Sequence, residues 1–192
     1  MRVIAGSARR LQLETVPGMD TRPTTDKIKE TLFNILQPRV GGSDFLDLFA
    51  GSGAIGIEAL SRGASSAVFV ENDRRAVTCI KKNLEHTRFT EKSVVLPFEA
   101  MSSLARLERE GRQFDLIFMD PPYRKELEKA AILRIAGGSL LAEDGWVIAE
   151  AALETDFSWL PGLGLEEFRR KEYKTNMHVF IRKSTAAEDR AE

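Results

Sequence analysis

The tetrapeptide Asp120-Pro121-Pro122-Tyr123 closes an apolar run, Phe114 to Met119, and its residue types suit chemistry on an amino group. Two prolines lack N–H donors and fix φ, so they hold the chain stiffly where a strand ends. The Asp120 carboxylate and the Pro121 carbonyl are then two acceptors, and an exocyclic amine has two N–H donors to offer them. Accepting both hydrogens raises electron density on a ring-attached nitrogen and turns its lone pair toward a methyl donor. Pro122 stiffens the same turn, and Tyr123 supplies a flat face on which a base can stack. Holding nucleophile, methyl group and leaving group in line is worth up to about 7–11 kcal/mol. Asp120 adds an electrostatic role, since positive charge develops on the nitrogen.

A second stretch, Asp47-Leu48-Phe49-Ala50-Gly51-Ser52-Gly53-Ala54-Ile55-Gly56, suits an adenosine cofactor. Gly51, Gly53 and Gly56 fit G-x-G-x-x-G between a short apolar strand and a helix, where glycines allow a tight turn, close backbone approach and helix–strand packing. Glu71 follows Gly51 by twenty positions, ends the next strand, and can hold both ribose hydroxyls. A dinucleotide would set its pyrophosphate at the helix N-terminus. S-adenosylmethionine has no phosphate and carries a cationic amino acid end and a sulfonium. Asp47, four residues before Gly51, separates the two, because a carboxylate there repels a pyrophosphate and attracts an ammonium.

The elements that must position these residues alternate along the chain. Residues 2–5 and 11–13 read as a small hairpin around Gly6 to Arg10, Val16-Pro17-Gly18 as a turn, and Thr24-Thr25-Asp26 as caps of a helix running to about Leu36. From Asp44 the pattern gives strands at 45–49, 67–70, 94–96, 114–119 and 146–150. Helices are expected over 55–60, 74–86, 101–110 and 127–135, and two closing strands flank Tyr173–Asn176. Apolar strands alternating with helices imply a parallel sheet covered on both faces, with an antiparallel hairpin at one edge. The expected division is a hairpin and helix over 1–40, an α/β core over 41–183 and a disordered tail over 184–192.

Composition narrows the chemistry. The 192 residues are enough for one domain with a small extension, without a large target-recognition domain. One cysteine and two histidines exclude an intrachain disulfide, a cysteine-rich zinc site and a histidine cage, and they agree with metal-free methyl transfer. No apolar run is long enough for a signal peptide or a membrane span, so a cytoplasmic protein is expected. The net charge of −1 leaves nucleic-acid binding to a local patch. Residues 1–40 carry seven Lys/Arg against four Asp/Glu, which makes Arg2, Arg9, Arg10, Lys27 and Lys29 the candidates for phosphate contacts, with Arg124 beyond Tyr123. Cys79 and the stripe Leu32, Phe33, Leu36 read as packed core, and nothing ties Trp146 or Trp159 to RNA.

At these motifs the chain resembles S-adenosylmethionine-dependent N-methyltransferases, and within them the RsmD family of small-subunit ribosomal RNA guanine-N2 methyltransferases. The resemblance runs from Met1 to about Arg182. Its most specific part is Thr21 to Leu36, followed by Asp47 to Leu60, Val70 to Asp73 and Phe114 to Tyr123. It implies a Rossmann-like class I methyltransferase fold, a seven-stranded, mostly parallel sheet with an antiparallel edge strand, preceded by a short hairpin and helix. It implies methylation of N2 of a guanine in 16S rRNA, within the small subunit or an assembly intermediate; a monomer is expected. By motif match Asp120 to Tyr123 are catalytic. Asp47, Phe49, Gly51, Ser52 and Gly53 line the cofactor, Glu71 holds ribose, Asn72 flanks adenine, and Arg22 and Thr24 close the cofactor side. Where the family carries an Asp-Ala pair near the adenine, this chain reads Phe98-Glu99-Ala100, so Glu99 is the candidate for the adenine amino group and Phe98 for covering the ring.

Three other readings compete. Asp-Pro-Pro-Tyr alone also permits a DNA adenine or cytosine amino-methyltransferase. A SAM-responsive RNA-binding or assembly factor would have no need of an intact Asp120–Tyr123 segment. A dinucleotide oxidoreductase conflicts with Asp47 and with that second motif.

Overall fold

The computed structural model describes residues 1–16, 26–122 and 126–184. Seven strands form one sheet: β1 (Asp44–Leu48), β2 (Ser66–Val70), β3 (Ser93–Leu96), β4 (Phe114–Met119), β5 (Leu141–Ala152), β6 (Leu165–Glu172) and β7 (Asn176–Lys183). Among the described residues five α-helices accompany them: α1 (Asp26–Val40), α2 (Ala54–Ser61), α3 (Arg74–Thr87), α4 (Ala100–Arg109) and α5 (Leu127–Ala136). The sheet order is β3-β2-β1-β4-β5-β7-β6. β1 to β5 pair in parallel, and β7 runs antiparallel to both β5 and β6. The reversed strand is therefore β7, one position in from the edge, and β6 at the edge runs with the others. The short turn between β6 and β7 requires this, because a parallel pair needs a long crossover.

The sheet has a hydrophobic core on each face. Leu46, Val68, Ile117, Val147 and Val179 face the side of α4 and α5. Phe45, Phe69, Phe118, Ile148 and Phe180 face the side of α1, α2 and the N-terminal segment. Period-2 alternation carries the second set on to Asp47, Glu71, Asp120, Glu150 and His178, so one face of the sheet presents five polar residues near the strand tips. α2 is buried along its whole length and has no charged surface of its own. α3 starts at Asp73, whose side chain accepts from the N–H groups of Arg75 and Ala76.

Two boundaries differ from the sequence expectation. α1 continues through Pro38 to Val40, because Val40 extends the buried stripe Lys29-Leu32-Phe33-Leu36 by another turn. β5 begins at Leu141 rather than Trp146, since Leu141 is already buried beside Phe114.

The N-terminal residues form a paired loop held by Val3 N–H to Leu11 O (3.0 Å) and Leu13 N–H to Met1 O (2.8 Å), with a bridge between Arg2 and Gln12. Glu58, fully buried on α2, anchors the loop by accepting from Ile4 N–H at 2.8 Å and Ala5 N–H at 3.0 Å. Gly6 lies against the end of α2 with φ +84°, and a Cβ there would fall 1.8 Å from the Ser61 carbonyl oxygen. The expected Pro17-Gly18 turn, the Thr24-Thr25 caps and the tail beyond Ser184 lie outside the described residues.

Candidate active site

The C-terminal ends of β1, β2, β4 and β5 open into a cleft of about 1700 Å³. Open α/β sheets bind ligands at this end of their strands. The cleft brings together most of the residues that the sequence singles out: Asp47, Phe49, Gly51, Ser52, Glu71, Asn72, Phe98, Glu99, Asp120, Pro121 and Pro122 all line it. Gly53 turns the chain just behind it, with φ +78° at the start of α2. Tyr123, Arg124, Arg22 and Thr24 lie outside the described residues.

Asp47 is buried at the tip of β1, and its Oδ2 accepts from Gly56 N–H at 2.9 Å. That bond ties the strand to the first turn of α2, where the helix end favours negative charge. Gly56 fits because the ring of Phe69 lies where a Cβ would be, 2.4 Å away, so the third glycine of the motif serves helix–strand packing. Burial pushes the Asp47 carboxyl up to about 7, against the effect of the Gly56 bond and with help from the Glu71 charge.

Glu71 braces the loop. Its Oε2 accepts from Gly51 N–H at 2.8 Å, and its Oε1 accepts from the N–H groups of Asn72 and Asp73, both at 2.9 Å. Oε1 is thereby filled, and Oε2 retains capacity for one further donor, such as a ribose hydroxyl. Asn72 donates from Nδ2 to Glu99 Oε1 at 2.6 Å, so the two residues expected at an adenine stand side by side. Phe98 is 46% exposed beside them, a large apolar ring left open at the cleft edge. Phe49 holds φ +74°, an uncommon conformation for a non-glycine residue that places it on the cleft wall.

Asp120 stands just beyond β4, with Pro121 buried behind it. Burial first, then the charges of Glu150 and Asp47, push its carboxyl up to about 8. The cleft is strongly acidic: among the described residues its lining holds ten Asp and Glu and one basic residue, Lys129. Such a cleft repels a pyrophosphate and suits a ligand with a sulfonium and an ammonium, so its donor set fits S-adenosylmethionine. It also keeps nucleic-acid phosphates outside and leaves the interior to a base.

The basic candidates divide. Arg2, Arg9, Arg10 and Lys27 are exposed, and Met1 and Ile28, their chain neighbours, line the cleft. Arg2 Nε donates to Asp26 Oδ2 at 2.8 Å, an exposed pair that a phosphate can replace at little cost. Lys29 is a correction. It is fully buried, donates to the Arg2 carbonyl at 2.5 Å, and pairs with Glu58 at 3.2 Å. Its place on the core-facing stripe of α1 removes it from any RNA surface, and burial pulls its pKa down despite the Glu58 charge.

Sequence reasoning missed three residues that shape the site. Glu150 lines the cleft beside Asp120, and the signal was present, since an acid ends an apolar strand. Trp159 also lines the cleft, from the segment after β5, with Lys129 5.4 Å from its ring centroid. Asn83 on α3 gives no sequence signal, yet it is buried and donates to Ser52 O and Glu14 O, both at 3.0 Å, which fixes the back of the glycine loop.

The fold and cleft define a Rossmann-like α/β protein of the methyltransferase type. The solved structure of the Escherichia coli protein yhhF is similar, with a TM-score of 0.82 and 34% identity, covering 96% of this chain and 98% of that one. The family model described as conserved hypothetical protein 95 matches residues 1–182, and the chain belongs to this family, the RsmD family. The Bacillus subtilis protein YlbH is 42% identical over 81% of this chain and 85% of its own length. Ribosomal RNA small subunit methyltransferase D of Escherichia coli is 37% identical over 84% of this chain and 79% of its own.

Proposed function

We propose that this protein transfers a methyl group from S-adenosylmethionine to an amino nitrogen of small-subunit ribosomal RNA, the N2 of a guanine. It would act in the cytoplasm as a monomer on the small subunit or an assembly intermediate. The observation that carries the reading is the meeting of two motifs in one cleft, the glycine loop with Glu71 and the Asp120-Pro121-Pro122 tip. The naming of relatives in Escherichia coli and Haemophilus influenzae as ribosomal RNA small subunit methyltransferase D supports the RNA substrate. Bound in the cleft, S-adenosylmethionine supplies a methyl group on a positively charged sulfur.

This chain's residues do the rest. Glu71 accepts from a ribose hydroxyl, Asn72, Glu99 and Phe98 border the adenine, and Asp47 faces the cationic amino acid end. Asp120 and the Pro121 carbonyl accept the two amine hydrogens, and Tyr123 stacks on the base. The target base must leave its stack to reach this depth. Arg2, Arg9, Arg10, Lys27 and Arg124 hold backbone phosphates outside the acidic cleft.

Mass spectrometry of ribosomal RNA from a strain lacking the protein tests the reading, with loss of one methylguanosine expected. Side-by-side assays with labelled S-adenosylmethionine on ribosomal RNA and DNA exclude the DNA alternative if only RNA is labelled. Asp120→Ala is expected to abolish transfer while calorimetry still registers donor binding. Unchanged turnover in that variant removes the role given to Asp120.

A further inference from the structure

The tip of β5 and the start of β7 carry a buried polar cluster that methyl transfer as described leaves without a role. Glu150 pairs with His178 across the antiparallel register, and the β4–β5 register, continued one step past Met119 and Ala149, sets Asp120 beside Glu150. Glu150 accepts from Asn176 Nδ2 at 2.5 Å, and its Oε2 lies 3.0 Å from His178 Nε2. His178 is fully buried, and its Nδ1 lies 3.3 Å from the Tyr173 hydroxyl. Tyr173 sits in the β6–β7 turn and is only half-buried. Phe118 packs edge-on against the imidazole, ring centroids 5.9 Å apart, and fixes its plane. Register sets Asp120 next to Glu150, and the Glu150–His178 and His178–Tyr173 contacts lead on from there to the half-buried Tyr173.

We propose that Glu150, His178 and Tyr173 form a proton path connecting Asp120 to solvent, with Glu150 as the second carboxylate of the active site. This inference rests on the methyl-transfer reading. When the N–C bond forms and the C–S bond breaks, the bonding pair goes to sulfur and the nitrogen is left with one proton too many. The N–H bond then breaks with its electron pair staying on nitrogen, and the proton passes to Asp120. Glu150 takes it from Asp120, and His178 accepts it at Nε2 while releasing the Nδ1 proton to the Tyr173 oxygen, whose own proton goes to water. The imidazole is left as the Nε2–H tautomer, which donates to the ionised Glu150, and it exchanges to the Nδ1–H tautomer when Glu150 next carries a proton and can donate to Nε2. A path through the protein is needed because the target base and the cofactor cover Asp120 from the cleft side.

The charges facing Asp120 are Glu150 on β5 and Asp47 on β1, Glu71 beyond β2 acts on Asp47, and His178 and the Tyr173 phenol lie behind Glu150. Burial and the Glu150 charge push the phenol up to about 12, so it stays protonated and able to relay. The like charge of Glu150 helps Asp120 keep a proton in the empty site.

Two variants test the path in the full-length protein. Glu150→Gln keeps the shape and removes the charge. The acid limb of its pH–rate profile is expected to move at least about one pH unit lower. The Asp120 carboxyl, followed by 13C NMR without ligands, is expected to lose its proton roughly tenfold more readily. Tyr173→Phe changes one half-buried hydroxyl. Its single-turnover rate is expected to fall roughly tenfold, with S-adenosylmethionine affinity unchanged. An Asp120 titration and acid limb that ignore Glu150→Gln, or a wild-type rate in Tyr173→Phe, overturn the proposal. If the wild-type protein labels no ribosomal RNA, the methyl-transfer reading fails instead, and the ligand-free titration still reports whether Glu150 acts on Asp120.

Discussion

Asp47 and Asp120 hold protons at pH values where an exposed aspartate has none, one up to about 7 and the other up to about 8. Their folded values lie above the unfolded value, so the native state binds more protons than the unfolded chain between roughly pH 4 and 8. Stability contributed by this difference is present at the acid end of that window and is lost as pH rises through it. Each group contributes a slope of at most about 1.4 kcal/mol per pH unit. Asp47→Asn, which can still accept from Gly56 N–H, is expected to flatten the pH dependence and to exceed wild type at pH 8 by roughly a few kcal/mol. Denaturant titrations at pH 5 and pH 8 check this, and a variant curve parallel to wild type overturns it. Bound S-adenosylmethionine would reverse the situation, because a nearby sulfonium favours both carboxylates in the charged form.

At the scale of elements, a buried carboxylate ties the N-terminal loop and α1 to the core. Glu58 receives two backbone N–H groups of the loop and the charges of Lys29 and Arg62, with Arg62 Nε at 2.8 Å. Removing one partner of such a cluster strands the others, so Glu58→Ala is expected to destabilise the protein by about 3–5 kcal/mol. Amide exchange is expected to rise first at Ile4 and Ala5, and protection equal to wild type there would refute the anchoring role. The same elements show what a linear sequence can convey. The stripe Leu32, Phe33 and Leu36 is legible from its spacing. That Lys29 belongs to the same stripe is not, because a lysine is read as exposed until a buried partner is seen, and Glu58 lies 29 positions away.

The whole molecule has a net charge of −1, with acid gathered in the cleft and exposed arginines at the N-terminal rim. Affinity for RNA must therefore come from outside the cleft and fall with salt. Arg9→Ala/Arg10→Ala is expected to weaken binding to ribosomal RNA and to lower the slope of log affinity against log salt by about 2, one for each phosphate no longer neutralised. Filter binding over a salt series measures it, and an unchanged slope removes the loop from the interface. With 28 Lys and Arg offset by 29 Asp and Glu, an assembled small subunit is expected to be methylated faster than free RNA, because a shaped particle can orient the enzyme where charge alone cannot.

The sequence by itself determined the local chemistry. Gly51, Gly53 and Gly56 are legible because only glycine tolerates those turns and that approach to Phe69, and Asp120-Pro121-Pro122 because the prolines dictate backbone geometry wherever they stand. It also determined the strand and helix order, since apolar period follows from local burial. The tertiary structure alone decided which distant residues share a face. The register β1-β4-β5-β7 sets Asp47, Asp120 and Glu150 around one cleft floor with His178 buried behind Glu150, and long-range pairing of this kind leaves no periodic trace in the chain. It also decided that Lys29 is an anchor and not an RNA contact, because a side chain's charge is visible in sequence while its burial is a property of everything packed around it.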